Sequence, residues 1–159
     1  MKILIIGGVA AGTKAAAKLK REMGDAADVT VISKGDYISY AACGLPYYIG
    51  QVIKEKETLL ENTPESFSEL TGATVLTGIE ATKLDRQAKV VYATNIKTGE
   101  ELTYDYDKLV IATGARPVKP NLPGIELKNI FTLRDPDDAD AIKAAVASGE
   151  VKRAVIVGG

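Results

Sequence analysis

The apolar run Lys2-Ile3-Leu4-Ile5-Ile6 passes with no linker into Gly7-Gly8-Val9-Ala10-Ala11-Gly12, and that loop passes directly into an alanine-rich stretch. An uninterrupted apolar run this close to a glycine turn reads as a strand buried on both faces, as parallel strands are. The stretch from Thr13 to Met23 is rich in helix formers, and Gly24 closes it. Val29-Thr30-Val31-Ile32 is the next β-rich run, so residues 2–33 are predicted to form a βαβ unit.

The loop also carries chemistry. A strand that turns tightly on glycine into a helix leaves backbone N–H groups facing an anion, at the positive end of the helix dipole. The spacing approaches G-x-G-x-x-G, matching at Gly7 and Gly12, but Val9 holds the middle position. Gly7, Val9, Ala10, Ala11 and Gly12 are therefore candidate nucleotide-binding positions. Such loops also occur simply as tight turns. The same fingerprint expects a carboxylate at the end of the second strand, to hold a ribose hydroxyl. Ser33 stands there instead, followed by Lys34. A neutral serine bond in place of charge-assisted ones predicts ribose binding weaker by roughly 1–2 kcal/mol. Alternatively, Ser33 merely ends the strand.

Further along, a short helix is expected near Cys43, because Pro46 is tolerated only in a first turn. Residues 64–71 read as a helix capped by Thr63. Thr74 to Tyr106 alternates short β-rich runs with turn signals such as Lys97-Thr98-Gly99-Glu100, which predicts an antiparallel meander. Leu109-Val110-Ile111-Ala112 reads as another buried strand. Pro117, Pro120 and Pro123 mark an extended crossing segment. Asp135 and Pro136 open a helix to about Ser148. Val151 to Val157 is predicted to be a strand running into Gly158-Gly159, an echo of the opening strand and loop.

A chain of 159 residues holds one well-filled core and is too short for two full nucleotide domains. Its net charge of −1 offers no electrostatic ground for nucleic-acid binding. No apolar run approaches membrane-spanning length, and a signal-peptide layout is absent. With one cysteine and no histidine, neither a disulfide framework nor a metal site is expected, which suits a cytoplasmic setting.

That single cysteine, Cys43, lies in Ser39-Tyr40-Ala41-Ala42-Cys43-Gly44-Leu45-Pro46-Tyr47. A C-x-x-x-x-C pair would place its partner at position 48, which is Tyr48, so any disulfide it forms must be mixed. A thiol at a helix start feels the N-terminal dipole, which favours the nucleophilic thiolate. The competing reading is a small buried hydrophobe. Lys14, Lys18 and Arg21 fall at i, i+4, i+7 on one face of the first helix, a pattern that on its own reads as a solvated stripe. Tyr37, Tyr40, Tyr47 and Tyr48 crowd this region in sequence, as channel lining or as ordinary half-buried packing.

Tyr106-Asp107-Lys108-Leu109-Val110-Ile111-Ala112-Thr113-Gly114-Ala115-Arg116-Pro117 is the most specific segment. With the opening glycine loop and Thr132-Leu133-Arg134 before a helix, it resembles the pyridine nucleotide–disulfide oxidoreductases across essentially the whole chain. Ser39 to Tyr47 is similar to the single-cysteine branch of that family, which holds coenzyme A-disulfide and persulfide reductases, NADH oxidases and NADH peroxidases. Gly44-Leu45-Pro46-Tyr47 leans towards the reductases.

The resemblance implies an α/β fold: a Rossmann-like FAD-binding domain with a parallel sheet, covering helices and an antiparallel β-meander excursion. It would occupy residues 1–150, and residues 151–159 would be the first strand and truncated glycine loop of an NAD(P)H-binding domain. Implied FAD contacts are Gly7, Val9, Ala10, Ala11, Gly12, Ser33, Lys34, Ala81, Ala112, Thr113, Gly114 and Arg134. The implied catalytic residue is Cys43, working with a sulfur substrate through a mixed disulfide, or with oxygen or peroxide through a sulfenic acid. Lys14, Lys18, Arg21 and Ser39 would bind the phosphates of coenzyme A disulfide or persulfide. Ala42 stands where that group usually has asparagine, and Thr71 where it has lysine. A non-catalytic nucleotide-binding module is the alternative of another class. The full-length protein is expected to be a homodimer using FAD and NAD(P)H, and an isolated fragment ending at Gly159 is expected to be inactive.

Overall fold

The computed structural model of the chain describes residues 1–158. In chain order the elements are β1 (Lys2–Ile6), α1 (Ala11–Met23), β2 (Asp28–Ser33), α2 (Leu45–Ile49), α3 (Pro64–Thr71), β3 (Thr74–Thr77), β4 (Ile79–Asp85), β5 (Val90–Asn95), β6 (Glu101–Asp105), β7 (Lys108–Ile111) and α4 (Pro136–Ala147). They divide between two compact units, Met1–Tyr40 with Leu60–Gly114 and Ala41–Leu59 with Ala115–Gly159. The sequence-predicted domain of residues 1–150 thus contains the whole of the first unit and part of the second.

The first unit is built on a parallel sheet in the order β3-β2-β1-β7, beside a three-stranded antiparallel sheet in the order β4-β5-β6. In β1, Ile3 and Ile5 enter one core with Ala16, Val31, Phe67 and Val75, under the helices. Leu4 faces the other way, into a core with Ile32, Ile79, Val91 and Ala93. Burial on both faces is why β1 needs apolar residues at successive positions rather than alternate ones. The βαβ prediction holds, with Ile5 opposite Val31 and Ile6 opposite Ile32.

α1 ends at Gly24, whose φ of +52° turns the chain and whose N–H reaches the Lys20 carbonyl. α3 starts as expected: Thr63 accepts from the Ser66 N–H, and the Ser66 hydroxyl accepts from the Thr63 N–H.

The meander begins later than the sequence suggests. β3 pairs in parallel with β2, Val31 against Val75, and only β4, β5 and β6 form the antiparallel sheet. The cause is connectivity and burial. α3 carries the chain back across the sheet, so the following strand enters parallel, and Val75 then fills the helix-side core.

In the second unit, α2 and α4 pack together, and Asp135 caps α4 by accepting the Asp138 N–H at 3.0 Å. The segment between Ala115 and Asp135 forms no helix or strand, as its prolines imply. The strand predicted over Val151 to Val157 does not form. Val155, Ile156 and Val157 are 85%, 87% and 95% exposed, and a strand exists only through ladder partners, which this segment lacks among the described residues.

Candidate functional site

In the first unit, β1, β2 and β7 end at the same edge of the sheet, because all three are parallel and Ile6 lies opposite both Ile32 and Ile111. The order places β2 on one side of β1 and β7 on the other. The crevice beyond these ends is the usual ligand position in open α/β sheets.

The glycine loop lies there, and its glycines are required by close approach. A Cβ on Gly7 would stand 2.2 Å from the Ala112 carbonyl oxygen, and Gly7 also holds a φ of +108°. A Cβ on Gly12 would stand 1.7 Å from the Gly7 carbonyl oxygen. Gly8, which the sequence fingerprint does not single out, would bring a Cβ to 3.1 Å from Ser33 Cβ and 3.0 Å from Ile38 Cγ2. Together they hold the turn against both neighbouring strands.

Ala10 caps α1 without a side-chain bond, and no acidic residue occupies the first turn. The Thr13 hydroxyl turns back to the Val9 and Ala10 carbonyls. The first N–H groups of α1 thus have no side-chain partner among the described residues, at the positive end of the helix. A bare-backbone cradle at a helix N-terminus suits a phosphate or pyrophosphate.

Of the other predicted cofactor positions, Ser33 is 6% exposed at the end of β2. Lys34 Nζ lies 2.8 Å from Glu80 Oε1 on β4, and Ala81 is the next residue of that strand. Ala112 donates its N–H to the Ile6 carbonyl at 2.8 Å, and Thr113 and Gly114 follow it out of the sheet. Arg134 belongs to the second unit, where its backbone N–H donates to Asp138 Oδ2 at 2.8 Å.

Lys14, Lys18, Arg21 and Ser39 all line one open groove of about 540 Å³ in the first unit. Lys18 is paired with Glu22 at 2.7 Å, with both side chains more than half exposed, so the pair contributes little. Lys14 and Arg21 have no acidic partner among the described residues.

Ser39 is pinned on the opposite wall in a left-handed conformation, with a φ of +48°. Its N–H donates to the Gly8 carbonyl at 3.1 Å, its carbonyl accepts the Glu61 N–H at 3.0 Å, and its hydroxyl accepts from Asn62 Nδ2 at 3.4 Å. Tyr40, read from the sequence as channel lining or ordinary packing, lines this groove, and so do Thr13 and Glu61, which the sequence reading did not single out. Thr13 was findable, since 10, 13, 14, 17, 18 and 21 repeat at helical spacing. Glu61 was not, because its place depends on the bridge between Tyr40 and Leu60. A smaller cavity of about 150 Å³ beside Lys2, Asp28 and Thr103 holds none of the predicted residues.

Cys43 lies in the second unit, in a 3-10 turn (Ala42–Gly44) that leads into α2. The thiol is exposed, which overturns its reading as a small buried hydrophobe. The turn is held at both ends: Ala41 N–H donates to the Leu59 carbonyl at 2.8 Å, and Gly44 N–H to the Ala41 carbonyl at 2.9 Å. Gly44 lies so close to Leu59 that a Cβ would stand 2.7 Å from Leu59 Cδ2.

The four tyrosines divide. Tyr37 and Tyr40 are half-buried, Tyr47 is exposed, and Tyr48 is buried. Tyr48 donates its hydroxyl to Asp140 Oδ1 at 2.8 Å, and Lys56 Nζ lies 2.5 Å from Asp140 Oδ2 and 3.3 Å from Asp137 Oδ1. Lys143 Nζ sits 3.7 Å from the centre of the Tyr48 ring. The Lys56 ammonium holds the Asp140 carboxyl below its usual range, and the bond to Asp140 raises the Tyr48 phenol.

The fold and this glycine cradle define a nucleotide-binding α/β protein. The chain belongs to the pyridine nucleotide-disulphide oxidoreductase family, matching it over residues 1–159. Its enzymes are FAD-dependent oxidoreductases that draw on NAD(P)H.

The chain is 35% identical to a coenzyme A disulfide reductase of Staphylococcus haemolyticus over 99% of its length, covering 35% of that protein. It is 36% identical to an NADH oxidase of Enterococcus faecalis, over 100% of this chain and 35% of that one. Among solved structures, a NAD-dependent persulfide reductase from A. fulgidus superposes with a TM-score of 0.88 at 42% identity, over 94% of this chain and 28% of that one. The chain thus spans about a third of the length of the curated relatives it matches. No helix among the described residues is long and apolar enough to cross a membrane.

Proposed function

We propose that this chain is the FAD-binding part of an NAD(P)H-dependent reductase that acts on a phosphorylated disulfide or persulfide, of the coenzyme A type, through Cys43. The observation that carries the substrate class is the groove. Three cations and the pinned Ser39 share it, and Lys14 and Arg21 have no acidic partner among the described residues. Such a surface recognises phosphates.

The pyrophosphate of FAD would rest on the N–H groups at the start of α1, against Gly7, Gly8 and Gly12. Ser33, Ala81, Ala112, Thr113 and Gly114 would hold the rest of the cofactor, with Lys34 and Arg134 as charged contacts. Bound FAD supplies two-electron reduction at the expense of NAD(P)H. The Cys43 thiolate attacks one sulfur of the substrate disulfide, forms a mixed disulfide and releases the other half as a thiolate, which takes a proton from water. Two electrons and a proton then regenerate the thiolate and free the second thiol.

A second reading, an NADH oxidase or peroxidase cycling Cys43 through a sulfenic acid, is favoured by one observation. Thr71 stands where the reductases have a basic residue, and its hydroxyl is engaged, donating to the Phe67 carbonyl at 2.7 Å and accepting the Ala73 N–H at 3.2 Å. It is thus not offered to a phosphate.

The two separate by assay of the full-length protein with NADH or NADPH against coenzyme A disulfide, a coenzyme A persulfide, oxygen and peroxide. The reductase reading expects preference for the sulfur substrates and loss of that turnover in Cys43→Ser. A faster reaction with oxygen or peroxide moves the assignment to the second reading. Undiminished turnover of every substrate by Cys43→Ser rejects a redox role for the thiol.

A further inference from the structure

The turn that carries Cys43 is short, and the bond inside it, from the Gly44 N–H to the Ala41 carbonyl, closes the turn without tying it to another element. It continues into α2, only five residues long, which cannot persist without tertiary support. That support comes from Tyr48, one turn further on. Its hydroxyl reaches Asp140 Oδ1 in α4 at 2.8 Å, and the second oxygen of the same carboxylate holds Lys56 Nζ at 2.5 Å. One carboxylate thus joins α2, the turn at residues 56–59 and α4. Leu59, at the end of that turn, packs on Gly44 and accepts the Ala41 N–H, so both routes lead back to the residues flanking the thiol. Tyr48 is buried and the Lys56 side chain is 19% exposed, against 42% for the Asp140 side chain, so the bonds are partly shielded from solvent.

We infer that Asp140 is a positioning residue for Cys43, fixing the reactive turn through Tyr48 on one side and Lys56 on the other. This rests on the reading of Cys43 as the reacting thiol. The Asp140 carboxylate is engaged by Tyr48 and Lys56, so its loss should change how often the thiol is correctly placed rather than how tightly substrate binds.

The test uses the full-length protein. In Asp140→Ala and Tyr48→Phe, kcat for the sulfur substrate should fall by roughly 10–100-fold, with KM within about twofold of wild type. Hydrogen exchange across residues 42–50 should quicken in the same variants. Asp140→Asn keeps an acceptor for Tyr48 but loses the charge facing Lys56, and should fall between. A KM that rises with kcat unchanged, or exchange over residues 42–50 equal to wild type in Asp140→Ala, overturns the inference. So does unchanged kcat in Asp140→Ala when Cys43→Ser is inactive. Retained turnover in Cys43→Ser overturns instead the reading on which it rests, and the exchange measurement still reports whether the clamp holds the turn.

Discussion

Gly12→Ala isolates what the glycine loop needs. The new methyl would stand 1.7 Å from the Gly7 carbonyl oxygen and 3.2 Å from Ile5 Cγ2. Separations under 3.0 Å do not occur for real Cβ atoms, so about 1.3 Å must open between α1 and the loop. The obstructing atom is backbone, and Gly7 is itself tied by its N–H to the Ile32 carbonyl at 2.8 Å, so no side chain can swing aside. Overpacking of this kind costs about 3 kcal/mol. At roughly 2–4 °C per kcal/mol for a chain of this size, the melting temperature should fall by about 6–12 °C, read by far-ultraviolet circular dichroism. Gly35→Ala is the control, since a Cβ there meets nothing within 4 Å and the φ is not positive; its melt should stay within about 2 °C. Because the same displacement spoils the N–H cradle, FAD affinity of the full-length variant, measured by flavin fluorescence well below its melt, should drop at least about tenfold. A Gly12→Ala protein that melts within about 2 °C of wild type and binds FAD normally would refute the close-approach argument.

Lys14→Ala and Arg21→Ala should each raise KM for coenzyme A disulfide about 5–10-fold in the full-length enzyme with kcat unchanged, an effect that shrinks in high salt; unchanged KM removes the groove from substrate binding. The Asp140 carboxyl is depressed by Lys56, so its stabilisation is present above the ordinary carboxylate pKa of about 3.9 and is lost as pH falls through the lower folded value. The raised Tyr48 phenol has the opposite sign, its contribution present below about pH 10 and lost as pH rises through the higher folded value. Urea unfolding should therefore show wild type more stable than Asp140→Asn by up to about 1 kcal/mol at pH 7 and a vanishing gap in strong acid; a gap that does not depend on pH contradicts the assignment. Ser33→Glu restores the carboxylate expected at the end of β2 and should tighten FAD about tenfold by fluorescence titration, and equal or weaker binding would show that Ser33 only ends the strand.

What could be read from the sequence was what local chemistry determines. The apolar run at Ile3–Ile6, the glycine loop, Thr63 before Pro64 and Asp135 before Pro136 each carry their structural meaning within a few residues, and each forms the expected element. The stripe Lys14, Lys18, Arg21 was legible for the same reason, since helical periodicity alone puts them on one face. The errors arose where pairing decides. Thr74 to Thr77 has the composition of a meander strand, yet joins the parallel sheet because α3 delivers it there. Val151 to Val157 has the composition of a buried strand, but no partner strand among the described residues.

The same distinction explains what the sequence could not reveal about Cys43. Its loop signature is contiguous, so the thiol itself was conspicuous. The carboxylate that supports its turn lies 92 residues from Tyr48, on a helix whose sequence shows only an ordinary acidic cap and an alanine-rich face. No spacing rule relates Tyr48, Lys56 and Asp140, because the relation exists only once α2 and α4 pack. A reactive residue needs a recognisable local pattern to be reactive, whereas the residues that hold it need only the right distance, which many sequences can supply. Variation at Asp140 would therefore change the behaviour of the thiol while leaving the signature around it intact, and the kcat of Asp140→Ala, set against its unchanged loop sequence, measures how far that signature alone determines the chemistry.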